Sequence, residues 1–320
     1  MKESLGFCEF LEGYWAFLEK RNWSSMILHD WERIPHRIDS DIDYIVRGPN
    51  AQQLVHGLIN YCEMHGWSLG QILEHEIDAL YCVCFKNSPP FDSVLLDVCW
   101  DYRRKGIDLI KNEILFDGAW QPPGRSFNVP APHAEFLYRL VKSAAKEKDL
   151  ASLPDLEIKM RELFEERPQD CVNILAKIAG YHGGDDWNEV KTFFDGSAYF
   201  EKIRGGRKIA IRELKLYTKR ILQPTGLLIG HDQGSPKIDG VVEVVQSAFR
   251  KVAKVRKGTP DWWVHSKLIK STLVVRPGVL SRGKSGVFLS SKGENATEEG
   301  VKMVLEFLSS RIKKQWKYGR

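Results

Sequence analysis

An acidic pair at the head of an apolar segment most limits how this 320-residue chain can fold. Asp41 and Asp43 lie in DIDYIV, a run rich in β-branched and aromatic residues that predicts a strand. Alternate residues of a strand share a face, so the two carboxylates lie side by side and repel each other unless a positive partner neutralises them. The pattern indicates either a metal site or a solvated strand end whose aspartates cap a turn.

A third acid lies within a later apolar segment, SVLLDVCWDYRR, as Asp97. An unpaired carboxylate among apolar neighbours is costly, so Asp97 requires a partner. If neighbouring strands bring it to Asp41 and Asp43, three carboxylates at one sheet edge provide oxygen ligands for Mg²⁺. The alternative is an ion pair between Asp97 and Arg103 or Arg104.

Composition predicts a globular protein, because 43% of the residues are hydrophobic and the chain is long enough for two or three domains. It has no apolar run of about 18 residues. The start, MKESLGFCEF, lacks the basic and then apolar pattern of a signal peptide, so we expect a cytoplasmic protein without a transmembrane segment. The cysteines have apolar neighbours and are expected to be reduced; they are Cys8, Cys62, Cys82, Cys84, Cys99 and Cys171.

Charge is distributed unevenly along the chain. Residues 1–200 contain 21 Lys and Arg against 32 Asp and Glu, a net charge of −11, whereas residues 201–320 contain 26 against 10, a net charge of +16. With Trp262, Trp263 and Trp316 interleaved, the basic segment is compatible with contact to a polyanion or a membrane surface. A solvated basic surface is the alternative.

Hydrophobic periodicity predicts an α+β fold. Strand patterns and two amphipathic helices occupy the first part, and three-to-four spacing of apolar residues predicts helices from Pro130 onward. The expected early elements are a helix at 4–22, strands at 26–28 and from Asp41, a helix at 54–62, and strands at 79–85 and 94–100. Gly48-Pro49-Asn50 and Gly183-Gly184-Asp185-Asp186 are expected to form turns that cap helices.

Three stretches carry a resemblance to a known group of proteins: MILHDWERIPHRIDSDIDYIV, LLDVCWDYRRKGIDL and LYTKRILQPTGLLIG. They resemble bacterial two-part proteins with capsule and exopolysaccharide functions. In that group a nucleotidyltransferase-like domain precedes a thymidylate-kinase-like P-loop domain. The resemblance runs from about Trp15 to Arg282.

The resemblance implies a polymerase-β-type nucleotidyltransferase-like mixed sheet in which Asp41, Asp43 and Asp97 are the catalytic and metal-binding acids. Such a site uses two Mg²⁺ ions and a nucleoside triphosphate substrate. The usual small-residue turn is replaced by Leu28-His29-Asp30, so His29 is a candidate phosphate donor. Further candidate phosphate-binding residues are Arg103, Arg104 and Lys142.

The resemblance also implies three regions: a nucleotidyltransferase-like domain at 1–128, a helical region at 129–222, and a P-loop kinase-like remnant of α/β type at 223–320. The loop GHDQGSPKID stands where a phosphate-binding loop is expected. Pro236 removes an amide donor and Ile238 cannot bind a metal, so the loop is degenerate. Lys237 is the remaining candidate phosphate contact.

The leading hypothesis is therefore an Mg²⁺-dependent enzyme that transfers a nucleotidyl group from a nucleoside triphosphate to a hydroxyl or phosphate acceptor. Surface-polysaccharide precursor metabolism is the setting that the resemblance implies. One alternative is a catalytically inactive scaffold with a basic C-terminal half. A second is residual kinase activity at Lys237.

Overall fold

The computed structural model has α+β architecture, as the sequence predicts, with a mixed sheet, a helical region and a second sheet. No helix among the residues that it describes is long and apolar enough to cross a membrane. The described residues are 6–36, 40–104, 107–146, 154–204, 218, 225–231, 238–249, 251–256, 259–270, 272–277, 286–289 and 296–317.

The first sheet has five strands in the order β1-β2-β5-β4-β3. Strands β2 and β5 are parallel, and the other neighbouring pairs are antiparallel. The strands are β1 Ser24–Ile27, β2 Ile42–Arg47, β3 Trp67–Glu76, β4 Ala79–Lys86 and β5 Ser93–Cys99. Two helices accompany them, α1 Phe7–Lys20 and α2 Ala51–Met64.

One face of this sheet is closed by α1 and α2, whose apolar residues recur at helical spacing. The packing is largely aromatic, since Phe10 stacks on Trp67 and Tyr14 hydrogen-bonds to Tyr44 at 2.8 Å. Helix α2 starts at the predicted turn, where the Asn50 side chain accepts a hydrogen bond from the backbone of Gln53. The opposite face carries the acidic residues, and its apolar residues pack against later parts of the chain, Ile45 and Cys99 in one core and Val83 and Phe85 in another.

Strand β3 is absent from the sequence-based expectation. Its segment, WSLGQILEHE, does not alternate cleanly, because a register shift between Leu69 and Gln71 interrupts the pairing with β4. Gln71 also breaks the apolar pattern although it is buried, since its side-chain amide donates to the carbonyl of Thr225. The polar residue therefore serves a contact that is distant in sequence.

The helical region follows a short hairpin formed by β6 Tyr102–Arg104 and β7 Ile107–Ile110. Helix α4 is its centre, with most of its side chains buried, and it contacts α5, α6 and α8. As predicted, Asp186 caps a helix, accepting from the backbone of Asn188 at 2.8 Å. The helices are α3 Asn112–Leu115, α4 Pro132–Ala145, α5 Pro154–Glu166, α6 Pro168–Ala179, α7 Trp187–Gly196 and α8 Ala198–Arg204.

The C-terminal part contains a four-stranded parallel sheet in the order β11-β8-β10-β9. Its two inner strands are mostly apolar and buried, as expected of parallel strands with both faces covered. The elements are β8 Leu227–His231, α9 Ile238–Val245, β9 Lys251–Lys254, α10 Asp261–Ile269, β10 Thr272–Pro277, β11 Gly286–Leu289 and α11 Ala296–Lys317.

Helix α11 joins the two sheets. Its first half packs on the parallel sheet, whereas Ile312 and Trp316 enter the core beneath the first sheet. The His56 imidazole donates to the carbonyl of Trp316 at 3.0 Å. Trp316 is only 5% exposed, so it is not one of the surface aromatics expected for polyanion contact, and that contact stays a prediction.

Replacing Arg311 with Met is expected to lower the free energy of unfolding by about 2 kcal/mol, since charged hydrogen bonds to buried groups are lost. The Arg311 guanidinium donates to the carbonyls of Gly226 at 2.7 Å and Thr225 at 3.2 Å, and to the Gln71 side chain at 3.3 Å. Burial lowers the pKa of Arg311 to about 10. Urea unfolding of this variant, with exposed Lys314→Met as the control, measures the effect; equal stability of the two would refute the role.

Candidate functional site

Four paired side chains form a row across the face of the first sheet that α1 and α2 do not cover. Asp43 of β2 pairs in register with Asp97 of β5, Asp97 pairs with Tyr81 of β4, and Tyr81 pairs with Leu73 of β3. Residues paired in this way lie on the same face, and neighbouring strands are about 4.8 Å apart. The sheet thus places an acidic pair beside an aromatic and an aliphatic residue.

A cleft of about 380 Å³ opens over the acidic end of this row. Seven of the predicted site residues line it: His29, Asp41, Asp43, Asp97, Arg103, Arg104 and Lys142. The structure therefore brings these residues together, although they come from distant parts of the sequence. The eighth, Lys237, lies outside the described residues together with residues 232–236 of its loop, and its role stays a prediction.

Asp43 is held by a lysine and a histidine. Its Oδ2 accepts from Lys142 Nζ at 2.8 Å and lies 2.9 Å from His29 Nε2, which is itself 2.8 Å from Lys142 Nζ. Both the Asp43 and Lys142 side chains are less than one-fifth exposed. Burial opposes ionisation, but the His29 hydrogen bond and the Lys142 charge together bring the pKa of Asp43 well below its usual value. Asp43 is therefore a carboxylate at neutral pH.

His29 belongs to a chain of polar contacts that runs from the cleft to α4. Its Nδ1 contacts Asp30 at 2.6 Å, Asp30 accepts from Arg139 at 3.0 Å, and Arg139 pairs with buried Glu135. Burial and Lys142 lower the pKa of His29, but the hydrogen bonds to Asp30 and Asp43 outweigh them and raise it. The ring is thus oriented with Nε2 in the cleft.

Asp97 pairs with His75, at 2.8 Å from Oδ1 to Nε2. The expected alternative, pairing of Asp97 with Arg103 or Arg104, is wrong. Arg103 contacts the carboxylates of Asp78, Asp101 and Asp108, and Arg104 Nε donates to the carbonyl of Ala145 at 3.1 Å. Arg103 and Arg104 are consecutive residues of β6 and point to opposite sides of the strand, whereas His75 of β3 supplies the imidazole that pairs with Asp97.

Asp41 is the acid whose ionised form is opposed by its surroundings. Its pKa is raised by burial, then by the charges of Asp43 and Asp97. No hydrogen bond from a positive side chain to its carboxylate occurs among the described contacts, and Lys142 only partly offsets the repulsion. A cation bound near Asp41 would relieve the repulsion.

The three carboxylates fit Mg²⁺ in the chemistry of their donors, which are hard anionic oxygens. The repulsion on Asp41 is the observation that supports this fit. In the described part of the chain, however, no three His, Cys, Asp or Glu side chains already stand close enough to form a metal site. Binding of Mg²⁺ therefore requires Asp43 to release Lys142 and Asp97 to release His75.

Two lysines four residues apart also line the cleft, Lys142 in the last turn of α4 and Lys146 at its C-cap. Burial, followed by the charge of Lys142, lowers the pKa of Lys146. Lys146 is not among the residues predicted from the sequence, although its spacing of four residues from Lys142 indicates a shared helix face. Glu76 and Tyr138, which also line the cleft, were not predicted either. The Glu76 Oε2 atom and the Tyr138 hydroxyl are buried without a hydrogen-bond partner.

No family model, curated protein or solved structure matches this chain. The resemblance to two-part capsule proteins therefore stays a hypothesis, and the cleft itself carries the functional argument. It combines three carboxylates with two lysines, of which Lys142 contacts Asp43 directly. Such a surface can hold a polyphosphate, with the lysines on its oxygens and a divalent cation between phosphate and carboxylates.

Proposed function

We propose that the protein is an Mg²⁺-dependent nucleotidyltransferase acting in the cleft on the first sheet. The observation that carries the proposal is the register of Asp43 with Asp97 on parallel strands, with Asp41 two residues before Asp43, opposite Lys142 and Lys146. This arrangement also supports a polymerase-β-type fold for the first part. The four-stranded parallel sheet supports a P-loop-like fold for the last part.

The proposed reaction joins an acceptor hydroxyl to the α-phosphorus of a nucleoside triphosphate. The bond from that phosphorus to the bridging oxygen of the β-phosphate breaks, and pyrophosphate leaves with the electron pair. The hydroxyl proton passes to water in the cleft. Mg²⁺ held by Asp41, Asp43 and Asp97 would neutralise phosphate charge, while Lys142 and Lys146 bind the outer phosphates.

Lys146→Met is expected to weaken binding of a nucleoside triphosphate about tenfold, because one charged contact to phosphate is removed. The measurement is calorimetric titration with ATP, CTP, GTP and UTP, with and without Mg²⁺. Lys177→Met, an exposed lysine on α6, is the matched control and keeps wild-type affinity. Adenosine or the corresponding free nucleoside should not distinguish the two variants.

Failure of every nucleotide to bind the wild-type protein would refute the proposal. It would favour a second candidate function, a catalytically inactive binding protein. The specific observation in favour of that candidate is that Asp43 and Asp97 already have cationic or imidazole partners in Lys142 and His75. Those partners neutralise the site without a metal.

A further inference from the structure

We infer that the acceptor is a neutral alcohol about one ring in size, bound in a second cavity between the first sheet and the C-terminal part. This inference rests on the proposed function and specifies its second substrate. The cavity measures about 260 Å³ and adjoins the cleft, because His75 and Asp97 line both. A molecule in it is therefore next to the acidic centre.

Both parts of the chain build this cavity. Leu73 and Tyr81, the apolar end of the row on the first sheet, form one side. Ala248 and Phe249, which follow α9 in the C-terminal part, form the other side. The walls are mostly apolar side chains, which suits the flat hydrocarbon face of a small ligand.

A polar anchor also lies in the wall. The Ser247 hydroxyl oxygen is buried and has no hydrogen-bond partner. Leaving such a group unpaired is unfavourable, so a ligand gains affinity when the Ser247 side chain rotates its hydroxyl into the cavity to hydrogen-bond with it. At the other end lies His75, which becomes available to a ligand hydroxyl when Asp97 exchanges it for Mg²⁺.

The residues that line the cavity favour a neutral ligand. None of the described residues that line the cavity is a lysine or an arginine, whereas Asp97 is a carboxylate. Placing the charge of a phosphate against these mostly apolar side chains would cost desolvation energy, and this favours a hydroxyl compound as the acceptor.

The position of the cavity assigns it to the acceptor. Across the sheet, Lys142 lies beside Asp43, the acids follow, and the cavity over Tyr81 and Leu73 comes last. Phosphoryl transfer places the attacking and leaving oxygens roughly in line. With pyrophosphate on the lysine side, the attacking hydroxyl approaches from the cavity side.

Benzyl alcohol and benzyl phosphate, which differ by the phosphate, are suitable probes, with binding measured by saturation-transfer NMR. We expect benzyl alcohol to bind the wild-type protein. Ala248→Leu, which fills the cavity, should weaken it at least tenfold, and Ser247→Ala should weaken it about fivefold. Ser266→Ala is the matched control, because Ser266 donates to the carbonyl of Trp263 away from the cavity.

Two further measurements separate this inference from the proposed function. Ala248→Leu should leave nucleoside triphosphate affinity within twofold, and Asp41→Asn should leave benzyl alcohol binding intact. Absence of benzyl alcohol binding, or binding that neither cavity variant changes, would overturn the inference while leaving the nucleotide test open. If Ala248→Leu weakened benzyl phosphate binding as much as benzyl alcohol binding, the cavity would be an anion site. If Ala248→Leu abolished nucleotide binding, the cavity would be a nucleobase pocket. Either outcome would overturn the inference.

Discussion

Asp41→Asn is expected to make the metal-free protein more stable while removing Mg²⁺-dependent nucleotide binding. Burial and the charges of Asp43 and Asp97 raise the pKa of Asp41. Ionised Asp41 therefore opposes folding at neutral pH, and the neutral amide removes that repulsion. We expect the midpoint of thermal unfolding to rise by about 1–2 °C.

The same substitution removes an oxygen ligand of the proposed Mg²⁺ site. Nucleotide affinity in the presence of Mg²⁺ should fall by at least about tenfold, the scale of loss seen when groups around a metal are altered. A gain in stability joined to a loss of binding is typical of a residue retained for function.

Thermal unfolding and calorimetry with and without Mg²⁺ measure both effects. Asp117→Asn is the matched control, since Asp117 is an exposed aspartate after α3. Mg²⁺ should raise the unfolding midpoint of the wild-type and Asp117→Asn proteins but not that of Asp41→Asn. A less stable Asp41→Asn protein that still binds nucleotide with Mg²⁺ would contradict the assignment.

Asp43→Asn should have the opposite effect on stability, although it lies only two residues away. Removing the carboxylate leaves Lys142 and His29 close together without their shared partner. Because these groups are mostly buried, we expect a loss of about 2 kcal/mol in the free energy of unfolding, somewhat below the cost of breaking a fully buried pair.

The pH dependence of stability shows whether the ionised Asp43 carboxylate is the cause of this loss. Because the pKa of Asp43 is lowered in the folded protein, its contribution to stability is complete above its unfolded pKa of about 4 and is lost at lower pH. Asp41 has a raised pKa, so its unfavourable contribution is relieved on acidification. The stability of Asp43→Asn should fall less steeply than that of the wild type below about pH 4.

Urea unfolding between pH 3 and pH 7 tests this, and a double-mutant cycle with Lys142→Met isolates the pair. The cycle should give a coupling energy of about 1–2 kcal/mol, since the two side chains are in direct contact. Additive effects of Asp43→Asn and Lys142→Met would mean that the contact contributes nothing to stability.

The sequence was sufficient to select Asp41, Asp43 and Asp97, because alternation and the cost of a buried acid are local properties. It was not sufficient to find their partners. His75 lies on β3, whose register shift conceals its strand pattern. Ser247 lies in the C-terminal part, 150 residues after Asp97, and lines a cavity with it. Only the packing of the two parts reveals this. Polar groups that serve distant contacts leave little trace in local periodicity.

The path of α11 affects the order in which the protein can be completed during synthesis. The core beneath the first sheet contains side chains from α1, near the start of the chain, and Ile312 and Trp316, near its end. A ribosome that has made only the first sheet has produced a layer whose core still lacks two large apolar side chains. The N-terminal part therefore reaches its full packing only after residue 316 has left the ribosomal tunnel.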